Sequence, residues 1–330
     1  GGGDGGDGAA RATFGAVVEG LPVEGLPPNA SAAVLGELWR HRVLVLRRPP
    51  GAPPPTRAAF HRFAASFGPL RRVFGSGAYP AVDGTPELHA IEFNASRPPH
   101  LDIWHADHSW TETPTEVEFL LAEELPSAGG DTLWADAAAA WDSLSEPLRA
   151  MLSPLRCEHS VGSGKGYDDG RGADAAERAR LLAAHPPVAQ PCAPRHPHSG
   201  ERLLYVSDSF STRLLGVDAA ESGALLPLLT RRANSARRLR HAWRPGDVVV
   251  FDNLATQHLA VADYFPQTRR MLHASREGTR ALPLLVEDSE HQQPPGAPAR
   301  GELAPTREAF NGRGNGCAWM EVCMDGVSVP

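Results

Sequence analysis

The chain has 330 residues, 42% hydrophobic and 22% charged, with a formal net charge of −7, which is the balance of a globular protein with ample core. The acidic surplus argues against bulk nucleic-acid binding. No run approaches the roughly 18 apolar residues that a membrane span needs.

The opening GGGDGGDG predicts a flexible arm over residues 1–12. A globular domain is expected over 13–278, and a Pro/Gly-rich tail of little periodicity over 279–330. Ser31–His41 predicts a helix capped by Ser31, and Arg42–Leu46 (RVLVL) a buried strand. After the break RPPGAPPP, Thr56–Phe67 predicts an amphipathic helix. Residues 86–121 alternate short strands with Pro-containing turns, and Asp136–Leu152 predicts a helix whose later part Pro147 breaks. Residues 160–190, first rich in Gly and Asp and then in Ala, predict a long excursion between core elements. Leu203–Ser207, Val248–Asp252 and Arg269–Ser275 predict strands, the second launched by the turn WRPGD (Trp243–Asp247). There is no internal repeat and no regular alternation of strand and helix. The expected class is therefore mainly β with helical insertions, a sheet sandwich or jelly roll rather than a doubly wound fold.

Lys165 is the single lysine among 32 basic residues. With 33 Gly and 31 Pro, this reads as a coding bias, so most arginines carry little functional information. Cys157, Cys192, Cys317 and Cys323 are too scattered for a disulfide framework or a zinc site, which points to a reducing, cytoplasmic setting.

Chemistry concentrates at Trp104-His105-Ala106-Asp107. On a strand, residues two apart share a face, so His105 and Asp107 are expected to aim at one point. Gln257-His258 follows the apolar run VVVFDN and offers a third ligand. Two His and one carboxylate on one face of an octahedron leave three positions open for co-substrate and O2, as in non-haem Fe(II) oxygenases. Eleven residues past His258 comes Arg269. An Arg beside such a metal can grip the distal carboxylate of 2-oxoglutarate through two parallel hydrogen bonds.

These stretches identify a resemblance to the taurine dioxygenase family of Fe(II)- and 2-oxoglutarate-dependent oxygenases over about residues 13–278. It is carried by WHADHSWTETPTEVEFLLAEELPSAGGDTLW (104–134), HPHSGERLLYVSDSFSTRL (196–214), WRPGDVVVFDN (243–253) and TQHLAVADYFPQTRRMLHA (256–274). The resemblance implies a double-stranded β-helix (jelly roll), with His105, Asp107 and His258 as iron ligands and Thr132 and Arg269 binding 2-oxoglutarate. It implies Fe(II) as cofactor, 2-oxoglutarate and O2 as co-substrates, and oxidation, by default hydroxylation, of a C–H bond in a small molecule, with release of succinate and CO2. Intact Asp107 disfavours the halogenating variants, which replace that carboxylate by a small residue.

The substrate pocket departs from the family pattern. The sulfonate-binding Arg expected fifteen residues past the distal iron His is here His273, and a pocket His and Asn fall on Val73 and Leu101. Phe210 matches a pocket aromatic, and the lid loop falls near Lys165. Lys165 reads either as an anchor for an anionic group or as a solvated loop residue. His273 reads as a neutral hydrogen-bond donor to substrate. These features point to a small polar or anionic substrate, an amino acid or specialised metabolite among them. A taurine or alkylsulfonate enzyme with a modified anion pocket is the alternative within the class, and a non-catalytic jelly-roll binding module the alternative outside it. His108 is expected to point away from Asp107, and GSGKG lacks the flanking residues of a phosphate loop. The Arg-rich run 231–244 does not gather on one helical face, so neither a nucleic-acid nor a membrane partner is expected, whereas a homo-oligomer is compatible with the sequence.

Overall fold

The computed structural model describes residues 13–26, 29–72, 81–99, 102–162, 175–282 and 319–321. The elements run β1 (Ala16–Glu19), α1 (Ala30–His41), β2 (Val43–Arg47), α2 (Arg57–Ala65), β3 (Ala81–Val82), β4 (Thr85–Phe93) and β5 (Val117–Glu124). There follow β6 (Thr132–Asp136), α3 (Ala137–Asp142), α4 (Glu146–Leu152), β7 (Arg156–His159), α5 (Ala175–Ala184), β8 (Val188–Pro191) and β9 (Ser211–Leu215). The series closes with α6 (Ala219–Ser235), β10 (Arg238–His241), β11 (Val248–Asp252), β12 (Thr256–Ala260), β13 (Arg269–Arg276) and β14 (Trp319–Glu321).

An eight-stranded sheet has the order β14-β1-β2-β11-β5-β13-β4-β3, and two three-stranded sheets have the orders β10-β6-β12 and β8-β7-β9. Period-two alternation sorts the central strands of the large sheet into two faces. Leu44, Leu46, Phe119, Leu121, Val248, Val250, Leu272 and Ala274 pack with α1 and α2 through Val34, Leu38, Phe60 and Phe63. Val43, Val45, Leu120, Ala122, Val249, Phe251 and Met271 turn the other way and meet Trp134 and Leu239 of the β10-β6-β12 sheet. Burial on both faces explains why β11 reads as an unbroken apolar run. Each fully buried Leu or Phe in these layers contributes roughly 1.5–3 kcal/mol, which holds the two sheets in register around the space between them.

Several elements differ from the sequence reading. Asn29, with φ 64°, occupies the N-cap of α1 and makes no side-chain cap, so Ser31 lies inside the helix. Thr56 does cap α2, accepting from the Ala59 amide. The helix expected over 136–152 is two: Asp136 caps α3 through the amides of Ala138 and Ala139. Pro147 sits in the first turn of α4, where a missing N–H has no intrahelical partner to lose. Between β4 and β5 the described residues form turns and isolated bridges rather than a series of short strands. Leu203–Ser207 forms no ladder; its amides bond singly to Pro194, Ala137 and Cys192 carbonyls, so it is a buried connector. Of the run 231–244, the first part ends α6 and the middle is β10. The expected arm and most of the expected tail lie outside the described residues, although Thr279 is bonded to Glu116. No helix among the described residues is long and apolar enough to cross a membrane.

Candidate active site

His258 is the third residue of β12 and lies opposite Trp134 of β6. His105 joins it through a reciprocal backbone bridge, 3.0 and 2.8 Å, which sets the two imidazole centroids 4.1 Å apart. Asp107 reaches the same point from a turn rather than from a strand. Asn253, immediately after β11, holds that turn: its Oδ1 accepts from the Asp107 amide at 2.8 Å, and its Nδ2 donates to the Asp107 carbonyl at 2.7 Å. The expected convergence of His105 and Asp107 is thus present, but a bridge and a clamp produce it.

His105 Nδ1 donates to the Ile103 carbonyl at 2.8 Å, which frees Nε2 as a ligand. His105 Nε2 lies 3.6 Å from Asp107 Oδ1, and His258 Nε2 lies 3.6 Å from Asp107 Oδ2. The three groups offer ligand atoms within 4.8 Å of one another. Those separations are too long for hydrogen bonds and short enough for one ion to touch all three. Burial, and then the charge of His105, push His258 down to about 3. Burial opposes ionisation of Asp107, but the imidazoles of His258, His273 and His105 outweigh it and hold the carboxyl well below its usual range. A neutral His258 imidazole beside the ionised Asp107 carboxylate is an arrangement that a divalent cation takes up.

On β13, Arg269, Met271 and His273 share the inward face. Arg269 is 3% exposed, and burial pushes its guanidinium down to about 10. Its Nε donates to the Gly130 carbonyl at 2.8 Å, and Nη2 to the Thr132 hydroxyl at 3.2 Å. Thr132 Oγ1 also accepts from Trp243 Nε1 at 2.9 Å. No carboxylate of the described residues pairs with Arg269. Gly130, at φ +73°, is needed there, since a Cβ would sit 3.0 Å from Arg269 Cδ.

His273 lies four residues along, roughly 13 Å at the rise of a strand. Its Nε2 donates to Glu118 Oε2 at 2.8 Å and lies 3.7 Å from Asp107 Oδ2; its Nδ1 faces His89 Nε2 at 3.0 Å. The other Glu118 oxygen accepts from Thr115. A second convergent group, Asp107, Glu118 and His273, is therefore already closed by hydrogen bonds. His108 turns to Thr115 and Glu118, 3.3 and 3.9 Å away. Phe210 presents its ring to His105, centroids 6.1 Å apart. Lys165, Val73 and Leu101 lie outside the described residues.

Sequence reasoning missed Asn253, Glu118, Thr115, Trp243 and Gly130. Two of them left a trace: Glu118 is a carboxylate set within the otherwise apolar run VEFLLA, and Asn253 is a polar residue directly following the strand VVVFD.

Residues 8–275 match the family Taurine catabolism dioxygenase TauD, TfdA. The chain is 31% identical over 260 residues to the alpha-ketoglutarate-dependent sulfate ester dioxygenase of Pseudomonas putida, covering 74% of this chain and 81% of that protein. It is 30% identical over 274 residues to the (S)-phenoxypropionate/alpha-ketoglutarate-dioxygenase of Sphingobium herbicidovorans, covering 82% and 94%. The crystal structure of a taurine dioxygenase from Burkholderia xenovorans superposes with a TM-score of 0.64 at 31% identity, covering 81% of this chain and 89% of that one.

Proposed function

The chain belongs to the TauD, TfdA family, and from that premise we propose which of its residues carry the family's chemistry and how. It is a dioxygenase that depends on Fe(II), 2-oxoglutarate (alpha-ketoglutarate) and O2. In our reading the large sheet and the β10-β6-β12 sheet are the two halves of a double-stranded β-helix. His105, Asp107 and His258 would hold Fe(II) at its open end. With Fe(II) and 2-oxoglutarate bound, the site supplies oxidation of an unreactive C–H bond by O2, coupled to decarboxylation of 2-oxoglutarate to succinate.

The chain's own residues supply position and charge. Asn253 fixes the turn of Asp107, and the His105–Ile103 bond fixes which imidazole nitrogen is offered. Arg269 and Thr132 would orient 2-oxoglutarate by its distal carboxylate. The observation that carries this reading is a buried guanidinium hydrogen-bonded, among the described residues, to a carbonyl and a hydroxyl, on the strand whose His273 lies 3.7 Å from Asp107 of the convergent ligand set. A buried cation is costly until a carboxylate pairs with it, and a dicarboxylate spanning from the metal to Arg269 meets that need. Phe210 and the Trp110–Val161 cluster would screen the site from water. Substrate is a small molecule, hydroxylation the default outcome, and a small polar or anionic compound the class that the sequence favours. Lys165 remains a candidate for the substrate lid. A reducing, cytoplasmic setting is the one that the scattered cysteines favour.

The test is spectroscopic. Adding Fe(II) and then 2-oxoglutarate to the protein without oxygen is expected to give the visible charge-transfer band of the chelate. His105→Ala and Asp107→Ala are expected to abolish it. No band with the unaltered protein, or a band unchanged in both variants, would refute the assignment.

A further inference from the structure

The wall beneath Asp107 is built so that it offers no net positive charge. His273 and Glu118 face inward from neighbouring strands, β13 and β5, and are joined by a 2.8 Å hydrogen bond. Both are buried, His273 at 4% exposure and Glu118 at 0%. The bond commits Nε2 of His273 to a carboxylate inside the protein, and Nδ1 faces His89 Nε2 at 3.0 Å, so neither ring nitrogen is left for an anion. Asp107, 3.7 Å from His273 Nε2, adds a second carboxylate. His108 lies 3.9 Å from Glu118. His89, the remaining group on this wall, is kept neutral by burial.

An anion brought against this wall would meet the Glu118 carboxylate and a His273 whose ring nitrogens are both engaged, in a setting where screening by water is weak. The contrast with Arg269 on the same strand is direct, since that cation has no carboxylate among its described partners. Glu118, in turn, gathers donors: His273 and Thr115 hydrogen-bond its two oxygens, and His108 lies 3.9 Å from one of them.

We propose that the substrate turns a neutral or cationic hydrogen-bond donor, such as an amide, amine or hydroxyl, toward the Glu118–His273 wall, and that this pair excludes sulfonates, sulfate esters and carboxylates from it. The proposal rests on the Fe(II)/2-oxoglutarate reading above and narrows its substrate class.

Two matched probe pairs test it on the anaerobic Fe(II)–2-oxoglutarate complex: (S)-2-phenoxypropionate against its amide, and hexyl sulfate against hexan-1-ol. Binding is read from the perturbation of the chelate band, and turnover from succinate formed after oxygen is admitted. With the unaltered protein the neutral member of each pair is expected to bind at least tenfold tighter. The Glu118→Gln/His273→Arg double variant, whose wall carries a cation with no carboxylate at position 118 to engage it, is expected to reverse that order. Equal or tighter binding of either anion by the unaltered protein overturns the proposal. If neither member of a pair perturbs the unaltered protein, the double variant decides: a gain of anion binding supports the proposal, and no gain overturns it. Should the double variant fail to form the chelate, Glu118→Gln alone must raise anion affinity, and unchanged affinity overturns the proposal. A missing chelate band in the unaltered protein is a different result, which refutes the functional reading itself.

Discussion

At one end of the inner face of β13, Arg269 is buried against a glycine carbonyl and a threonine hydroxyl and has no carboxylate among its described partners. Four residues along, His273 has both ring nitrogens engaged, and the Glu118 it bonds is also held by Thr115. The same strand thus carries an unfinished electrostatic site and a finished one. The unfinished end is shaped to be completed by a ligand; the finished end holds Asp107 and its neighbours still. A buried ion that is paired within the protein contributes rigidity, whereas one left unpaired creates demand for a partner.

Breaking the unfinished end should have the largest effect. Arg269→Gln removes the cation that would pair with the distal carboxylate, and losing one partner of a buried charge pair costs about 2–5 kcal/mol. The KM for 2-oxoglutarate is expected to rise about 100-fold or more, with the Fe(II) affinity of the protein alone little changed; steady-state kinetics and metal titration separate the two. At the finished end, Asn253→Ala leaves the Asp107 turn without its clamp. Fe(II) affinity is expected to fall about 10–100-fold, as it does when partners that orient metal ligands are lost, and anaerobic titration measures it.

Thr132→Val is a finer probe of the unfinished end. Trp243 Nε1 and Arg269 Nη2 both lose their acceptor, so the KM for 2-oxoglutarate should rise about 5–10-fold, matching about 1–1.5 kcal/mol for one hydrogen-bonded hydroxyl. Glu116→Gln tests how far the finished end extends. Hydrogen bonds from His198 and Thr279, with the Arg276 charge, hold Glu116 down to about 2 against the opposing effect of burial. A depressed carboxylate adds stability above its unfolded pKa, and that stability is lost as pH falls toward the folded value. The variant should therefore be less stable than the unaltered protein at pH 7. That gap should close between about pH 4.5 and pH 2, as denaturant midpoints across the range would show.

Much of the unfinished end was legible in the sequence. Arg269 stands out by its spacing after His258, and the run VVVFD is a strand by composition, since burial on both faces demands apolar side chains throughout. The connector Leu203–Ser207 reads as a strand for the same reason, because burial alone does not distinguish a ladder from single hydrogen bonds to three separate partners. Asp107 was placed beside His105 by strand alternation, and the structure reaches that juxtaposition through a turn. The ligand set was legible, while the local geometry that presents it was not.

The sequence by itself determined the donor set, the order of its members along the chain and the cation that follows them, because metal and carboxylate chemistry restricts which side chains can serve. Tertiary structure alone decided what each of those side chains is bonded to. Glu118 meets His273 across 155 residues and Asn253 meets Asp107 across 146, and nothing local to either position encodes its partner. Strand register and sheet order bring them together, so whether a buried group at this site is matched or left open is settled only when the sheets assemble.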